Sequence, residues 1–160
     1  MVKYTWFKEP LPKDLKYTQV YAIAFTDDSR ILLRIEHNKY QLTGGKPEVN
    51  ESYEETLKRE YIEEANTYVD DCHYLGYLLV EEDNKKYAQV RFIAKIKNIK
   101  ENHIDPATGE MYERKLVKPS NVKEYLNYPG EAGNKMLDDA IKLAQEKYKF
   151  NNINETEEIV

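Results

Sequence analysis

Six successive apolar residues, Val20-Tyr21-Ala22-Ile23-Ala24-Phe25, constrain the fold of this chain more than any other stretch. The run is rich in β-branched and aromatic residues, the pattern of a strand covered on both faces. It is therefore the candidate for the centre of a sheet. Thr26-Asp27-Asp28-Ser29 supplies turn chemistry, and Ile31-Leu32-Leu33-Arg34-Ile35 predicts a second strand that closes a hairpin with the first.

After Gly44-Gly45 the composition shifts to Glu, Lys and Arg. Apolar residues then recur at Tyr53, Leu57, Tyr61 and Ala65, which predicts a helix over Glu51 to Ala65 preceded by a glycine loop. Val69 to Glu82 and Lys86 to Ile99 flank the turn signal Asp83-Asn84 and predict a long hairpin. In its second arm Val90, Phe92, Ala94 and Ile96 alternate with Arg91, Ile93, Lys95 and Lys97, so one face should be buried and the other mostly wet. Glu101 to Gly109 reads as a loop and Glu113 to Lys118 as a short strand. A short helix capped by Ser120 should run through Leu126, and Gly130 to Lys149 reads as an amphipathic helix. Strands mixed with helices, without an internal repeat, point to an α/β or α+β sandwich. A chain of 160 residues is sized for one domain, taken as residues 1–150, with a polar tail over 151–160 expected to fray.

Charge and cysteine content narrow what such a domain can do. Lys and Arg total 24 against 29 Asp and Glu, a formal net charge of -5, whereas a surface for duplex nucleic acid needs a basic excess. Cys72 has no second thiol for a disulfide or a zinc knuckle, so a reducing cytoplasm is the expected location. The opening MVKYTWFKEPLPKDLKY is broken by charge and proline and lacks the apolar stretch of a secretory signal. The apolar run at 20–25 is far too short to cross a bilayer, and no membrane partner is expected.

The helix carries charge that folding does not require. Glu54 and Glu55 precede Lys58 and Arg59 by four residues, the favourable order for ion pairs. Glu60, Glu63 and Glu64, by contrast, share one face at the end where the helix dipole disfavours anions. Each like-charge neighbour costs roughly 0.2–0.5 kcal/mol on an exposed helix, and a divalent cation would remove that cost. The plain reading is a solvated acidic face. Against it, the three carboxylates lie beside the stripe of Tyr53, Leu57 and Tyr61, where repulsion is less screened. A Gly-Gly segment also leads in, as expected where backbone must approach a ligand closely.

The run from Gly45 to Thr67, GKPEVNESYEETLKREYIEEANT, resembles the Nudix box, G-x5-E-x7-R-E-u-x-E-E-x-G-u with u a bulky apolar residue. Gly45, Glu51, Arg59, Glu60, Glu63 and Glu64 all fall in place, and their irregular spacing makes the match specific. The preceding Tyr40-Gln41-Leu42-Thr43-Gly44 resembles the aromatic-x-x-Pro-Gly lead-in of MutT-like Nudix hydrolases. Asn66 departs from the box glycine, Tyr61 and Thr67 from its bulky apolar positions, and Thr43 from the lead-in proline. None of these removes a charged group. Asn tolerates the left-handed conformation better than most residues and can replace glycine at a helix end.

The resemblance implies a Nudix-type α/β/α sandwich with a mixed central sheet. It also implies hydrolysis of a nucleoside diphosphate linked to another moiety, water breaking the P–O–P bond with Mg²⁺ or Mn²⁺ as cofactor. Metal ligands would be Glu60, Glu63 and Glu64 with the carbonyl of Gly45, and hard oxygens of this kind are what Mg²⁺ prefers. Glu60 or Glu64 would assist deprotonation of the water. Arg59 would orient the carboxylates, with Glu51 as its acidic partner or an outer metal ligand. An ordinary pair of Arg59 with Glu55 or Glu63 is compatible with that role.

Outside the box, Asp105, Glu110 and Glu113 are candidates for an additional ligand or base, each also readable as part of a solvated acidic loop. His37, His73 and His103 lack metal-type spacing and read as surface or structural residues, and Cys72 beside His73 does not make a nucleophile. Asp83 and Asn84 stand where the ADP-ribose and diadenosine polyphosphate branches would carry Pro and Tyr, and the motifs of the NADH and coenzyme A branches are missing. A nucleoside triphosphate or modified nucleotide is then the favoured small-molecule substrate, on whose base a tyrosine such as Tyr21 or Tyr87 could stack; a homodimer is left open. The alternative is a Nudix-fold domain that binds a nucleotide without cleaving it, against which the retention of every box carboxylate weighs.

Overall fold

The structure is a computed structural model and describes residues 1–127 and 130–160. Among these residues, nine strands form one sheet: β1 (Val2–Phe7), β2 (Tyr17–Phe25), β3 (Ile31–Glu36), β4 (Lys39–Gln41), β5 (Thr43–Gly45), β6 (Thr67–Glu82), β7 (Lys85–Ile99), β8 (Glu113–Val117) and β9 (Glu158–Ile159). Their spatial order is β1-β6-β7-β2-β3-β8-β9, with β4 paired to β3 and β5 to β2. β2 and β7 run parallel and the other pairs antiparallel, so the sheet is mixed. The described helices are α1 (Tyr53–Ala65), α2 (Val122–Leu126) and α3 (Glu131–Lys147), and none is long and apolar enough to cross a membrane.

β2 is covered on both faces, as its composition requires. Val20, Ala22 and Ala24 pack with Leu57, Tyr61 and Ala65 of α1. Ile23 and Phe25 pack with Met136, Leu137, Ala140 and Ala144 of α3. The period-2 alternation of one strand thus feeds two cores, and the sheet is the middle layer of an α/β/α sandwich. Each fully buried large side chain stabilises this arrangement by about 1.5–3 kcal/mol. The same layering corrects the reading of β7: Arg91 and Ile93, expected on a wet face, are 4% and 0% exposed. Ile93 belongs to the α3 core, and Arg91 lies on that same side facing α2.

The long hairpin forms as expected, with Asp83 (φ 43°) and Asn84 (φ 65°) as its two left-handed turn residues. The first hairpin does not. β3 leaves β2 after the single pair Phe25–Ile31 and runs along β8 instead, and β5 takes the place beside β2. Gly44-Gly45, expected in a loop, is therefore strand. A Cβ at Gly44 would collide with the Val20 carbonyl oxygen and with Tyr21, so only glycine lets β5 come this close.

Three further expectations are revised. β1 pairs along β6, and Trp6 Nε1 donates to Asp139 Oδ2 of α3 at 2.8 Å, so the first residues form a strand where none was read. Ser120 lies inside a 3-10 turn, Pro119–Asn121, because Pro119 pre-sets that turn ahead of α2. Residues 151–160 are docked onto the sheet: β9 pairs with β8, Glu157 accepts from the Lys118 amide (3.0 Å) and the Tyr125 hydroxyl (2.6 Å), and Glu158 pairs with Arg30 (3.0 Å).

Candidate active site

α1 starts two residues later than expected, at Tyr53, because Ser52 and Glu55 form a capping box. The Ser52 hydroxyl accepts from the Glu55 amide at 3.1 Å and the Glu55 carboxylate accepts from the Ser52 amide at 3.1 Å, a device worth about 1 kcal/mol. Glu55 is thus committed to the cap and not to Arg59, and Glu51 is left in the loop before the helix. Glu54 and Lys58 make their exposed pair at 3.7 Å. Along the inner face Leu57, Tyr61 and Ala65 are 0% exposed, which fixes the helix rotation and turns Glu60 and Glu64 toward the sheet end that carries β5. A tyrosine fits the apolar position 61 because its hydroxyl donates to the Ala22 carbonyl at 2.9 Å.

The far end of α1 carries three glutamates without a basic residue in the last turn. Two features close it. Asn66 adopts the left-handed conformation (φ 49°, ψ 43°) in place of glycine. Arg114, 2% exposed on β8, donates to the carbonyls of Ala65 (2.8 Å) and Lys100 (2.7 Å), placing a buried cation at the negative end of the dipole. Thr67 also satisfies its hydroxyl on the Ala65 carbonyl, at 2.8 Å, which explains a polar residue at that position.

Arg59 is the hub of the charged group. Its Nε and Nη2 donate to both oxygens of Glu51 at 2.8 and 2.9 Å, its Nη1 to Glu60 at 2.8 Å and to Glu63 at 3.3 Å, and its Nη2 also to the Lys46 carbonyl at 3.1 Å. Glu51 further accepts from the Thr56 hydroxyl (2.6 Å) and the Glu48 amide (3.0 Å). The Arg59 guanidinium, with these donors, holds the Glu51 carboxyl well below the usual range, at about 2. The bonds to Glu51 raise the Arg59 pKa in turn. One rigid fork therefore gathers Glu51, Glu60 and Glu63 around a single point.

Glu60 and Glu64 complete the cluster against the strand. The Glu60 carboxylate fills the space where Gly45 would carry a Cβ, so glycine here is a cradle for that group. Burial, and beyond it the charge of Glu60, push the Glu64 carboxyl up to about 8 despite the opposing charge of Arg34. Burial likewise raises Glu63 against the opposing charge of Arg59, with the charge of Glu60 and, less, of Asp105 contributing. Glu64 Oε2 lies 3.3 Å from Arg34 Nε, yet both atoms are buried and lack a hydrogen bond among the described residues. A buried carboxyl oxygen left without a partner is costly, and a divalent cation held by Glu60, Glu63, Glu64 and the Gly45 carbonyl would satisfy it and restore the ionised form that burial disfavours. The residues present fit such an ion.

Arg34 escaped the sequence reading. It is 5% exposed, donates to Glu36 (2.6 Å) and Gln41 (3.1 Å), and lies over the Tyr112 ring at 4.8 Å. Its signal was a charge inside the apolar run of β3, which a fold tolerates only when that charge is partnered. Of the loop candidates, Asp105 is 6% exposed rather than solvated, its carboxylate accepting from the Ala107 amide at 2.8 Å. Glu113 is exposed at the start of β8. Glu110 shares an exposed corner with His37 and Glu36, their ligand atoms within 4.8 Å of one another. His73 pairs with Asp71 at 3.0 Å. Burial pushes the Cys72 thiol up to about 12, so it stays protonated at neutral pH and is no nucleophile.

A mixed sheet between two helical layers thus carries an arginine-organised carboxylate cluster on one helix beside a glycine cradle, a set of hard oxygens of the kind that suits a divalent cation. The profile of the NUDIX domain matches residues 16–135, three quarters of the chain, and the chain belongs to the Nudix family, as a hydrolase of pyrophosphate bonds. A search of curated protein sequences finds no significant match. Among solved structures the chain is similar to a mutant form of the Bacillus subtilis pyrophosphohydrolase BsRppH, with 20% identity, TM-score 0.69, and 88% of this chain and 90% of that one covered. It is also similar to MutT, from work on the Aliivibrio salmonicida and Vibrio cholerae proteins (20% identity, TM-score 0.57, 78% and 95% covered). A third likeness is to the C. elegans Ap4A hydrolase (14%, TM-score 0.55, 81% and 98%).

Proposed function

We propose that this Nudix hydrolase cleaves the diphosphate linkage of a nucleoside triphosphate or modified nucleotide, in the cytoplasm, with Mg²⁺ or Mn²⁺ held by Glu60, Glu63, Glu64 and the Gly45 carbonyl. The observation that carries the reading is the buried, unsatisfied Oε2 of Glu64 beside Glu60 at the glycine cradle. When bound, the ion supplies Lewis acidity to the phosphoryl oxygens and lowers the pKa of the attacking water. The chain's own groups do the rest. Arg59 fixes the Glu60 and Glu63 carboxylates, and Glu51, which accepts three hydrogen bonds on Oε1 and one on Oε2, anchors Arg59. Glu60 or Glu64, ionised beside the cation, would take the proton released as water attacks phosphorus and the bridging P–O bond breaks. Arg34 balances the charge of Glu64 from 3.3 Å.

The test is a hydrolysis screen over nucleoside triphosphates, dinucleoside polyphosphates and nucleotide sugars with Mg²⁺ or Mn²⁺, with the products identified. Release of pyrophosphate or phosphate from a nucleotide, abolished by a chelator, is the expected result. Tight nucleotide binding without turnover of any compound would favour a binding domain instead.

A further inference from the structure

On the α3 side of the sheet a cleft of about 620 Å³ opens between β2, β7 and α2, large enough for one nucleoside. Its polar groups are arranged with a definite sense. Guanidinium N–H groups only donate, so any amide bonded to one must turn its oxygen toward it. Arg91 Nη1 donates to Gln19 Oε1 at 3.0 Å, and Arg34 Nη2 donates to Gln41 Oε1 at 3.1 Å. Both glutamines line the cleft, and with their oxygens engaged each offers it an NH₂ donor. The facing wall contributes Glu124 as a carboxylate acceptor. Aromatic surface is supplied by Tyr21, whose ring lies 5.1 Å from the Arg91 guanidinium, and by Tyr40 and Tyr125, packed edge to face at 4.7 Å. Nucleobases stack on such rings irrespective of sequence, so discrimination falls to the amides and Glu124.

The cleft is linked to the carboxylate cluster through Arg34. The Arg34 that orients Gln41 also stands 3.3 Å from Glu64, and Tyr21 pairs in register with Gly44, next to the glycine cradle. A nucleotide with its phosphates at Glu60 and Glu64 would place its base on the donors. Guanine, hypoxanthine and uracil, with an oxo group at purine C6 or pyrimidine C4, accept there and carry a neighbouring ring N–H for Glu124, whereas adenine and cytosine carry an amino group at that position and would set donor against donor.

We propose that this cleft selects nucleotides whose base carries a 6-oxo (guanine, hypoxanthine) or 4-oxo (uracil) group over those bearing adenine or cytosine, with Gln19 as the specificity-determining residue. The inference rests on the hydrolase reading above. A free nucleoside triphosphate and the 5′-triphosphate end of a polynucleotide share the required chemistry.

The experiment measures kcat/KM for GTP, ITP, UTP, ATP and CTP, and for 5′-triphosphorylated oligonucleotides beginning with G or A, on the wild type and on Gln19→Glu and Gln19→Met. The expected wild-type ratio of GTP, ITP and UTP to ATP and CTP, or of G-initiated to A-initiated oligonucleotides, is about tenfold or more, in whichever of the two forms is cleaved. Gln19→Glu keeps the contact with Arg91 but replaces the donor by an acceptor, and should collapse or invert the ratio. Gln19→Met should flatten it. Equal kcat/KM across the bases in the wild type, or a ratio unmoved in both variants, overturns the inference and leaves the hydrolase standing. Absence of turnover with every nucleotide overturns the hydrolase reading instead; calorimetric binding of GTP against ATP then decides base selection, a preference for GTP supporting it and equal affinity overturning it.

Discussion

The carboxylate cluster of α1 and the cleft under α2 are built in opposite ways. The cluster comes from twenty successive residues, Gly45 to Glu64, held by one helix, one cap and one arginine. The cleft draws on β2, β4, β7 and α2, from Gln19 to Asn127. Chemistry that needs several charges at fixed spacing is cheapest to encode locally, because a helix sets the spacing itself. Recognition of one ligand face can be assembled from distant strands, and it can change without disturbing the charges.

If that division holds, damage to the cluster should reach turnover far more than damage to the cleft. The largest effect is expected for Glu60→Gln and Glu64→Gln, each lowering kcat by about 10²–10³ through loss of charge at the ion and at the attacking water, with the fold intact by circular dichroism. Near-native turnover in both would dissolve the distinction. Next is Arg59→Lys. A lysine cannot make the fork to Glu51 while also reaching Glu60, so kcat should fall by about 10²-fold and more steeply than any change in KM.

A smaller effect sharpens the comparison from the stability side. The Glu51 carboxyl is depressed in the folded protein to about 2, so the stability it contributes is fully present above its ordinary value near 4.5 and is lost as pH falls toward 2. The Tm difference between wild type and Glu51→Gln should therefore be full at pH 7 and shrink between about pH 4.5 and 2. A difference independent of pH would mean that the Arg59 fork does not depend on the Glu51 charge.

The same contrast explains what the sequence made legible. The cluster could be read because its signals are local: carboxylates at i, i+3 and i+4, a glycine lead-in, and an arginine one residue before the first of them. The central strand and the long hairpin were equally plain, the first from an unbroken apolar run and the second from an Asp-Asn turn that takes two positive φ values. Arg34 and Arg114 were not read, because their partners, Glu64 and the Ala65 carbonyl, lie 30 and 49 residues away. The docked tail was hidden for a related reason. Residues 151–160 are mostly polar, and they are held by hydrogen bonds to Asp27, Asp28 and Lys118, with Val160 alone packed against the core on the α1 side. The β2–β3 hairpin misled because turn chemistry at 26–29 reports the turn and not how far the strands stay paired beyond it.

The central claim is that Glu60, Glu63 and Glu64 gather one divalent cation at the glycine cradle, and the melting temperature as a function of that cation tests it most directly. A ligand that binds only the folded state stabilises it by RT ln(1 + [L]/Kd), about 2.7 kcal/mol at a hundred times Kd. Tm should climb with Mg²⁺ or Mn²⁺ beyond the change given by a monovalent salt of equal ionic strength. In the double variant Glu63→Gln, Glu64→Gln that increment should shrink sharply. An increment of the same size in the double variant would place the cation elsewhere and leave the three glutamates as a solvated acidic face.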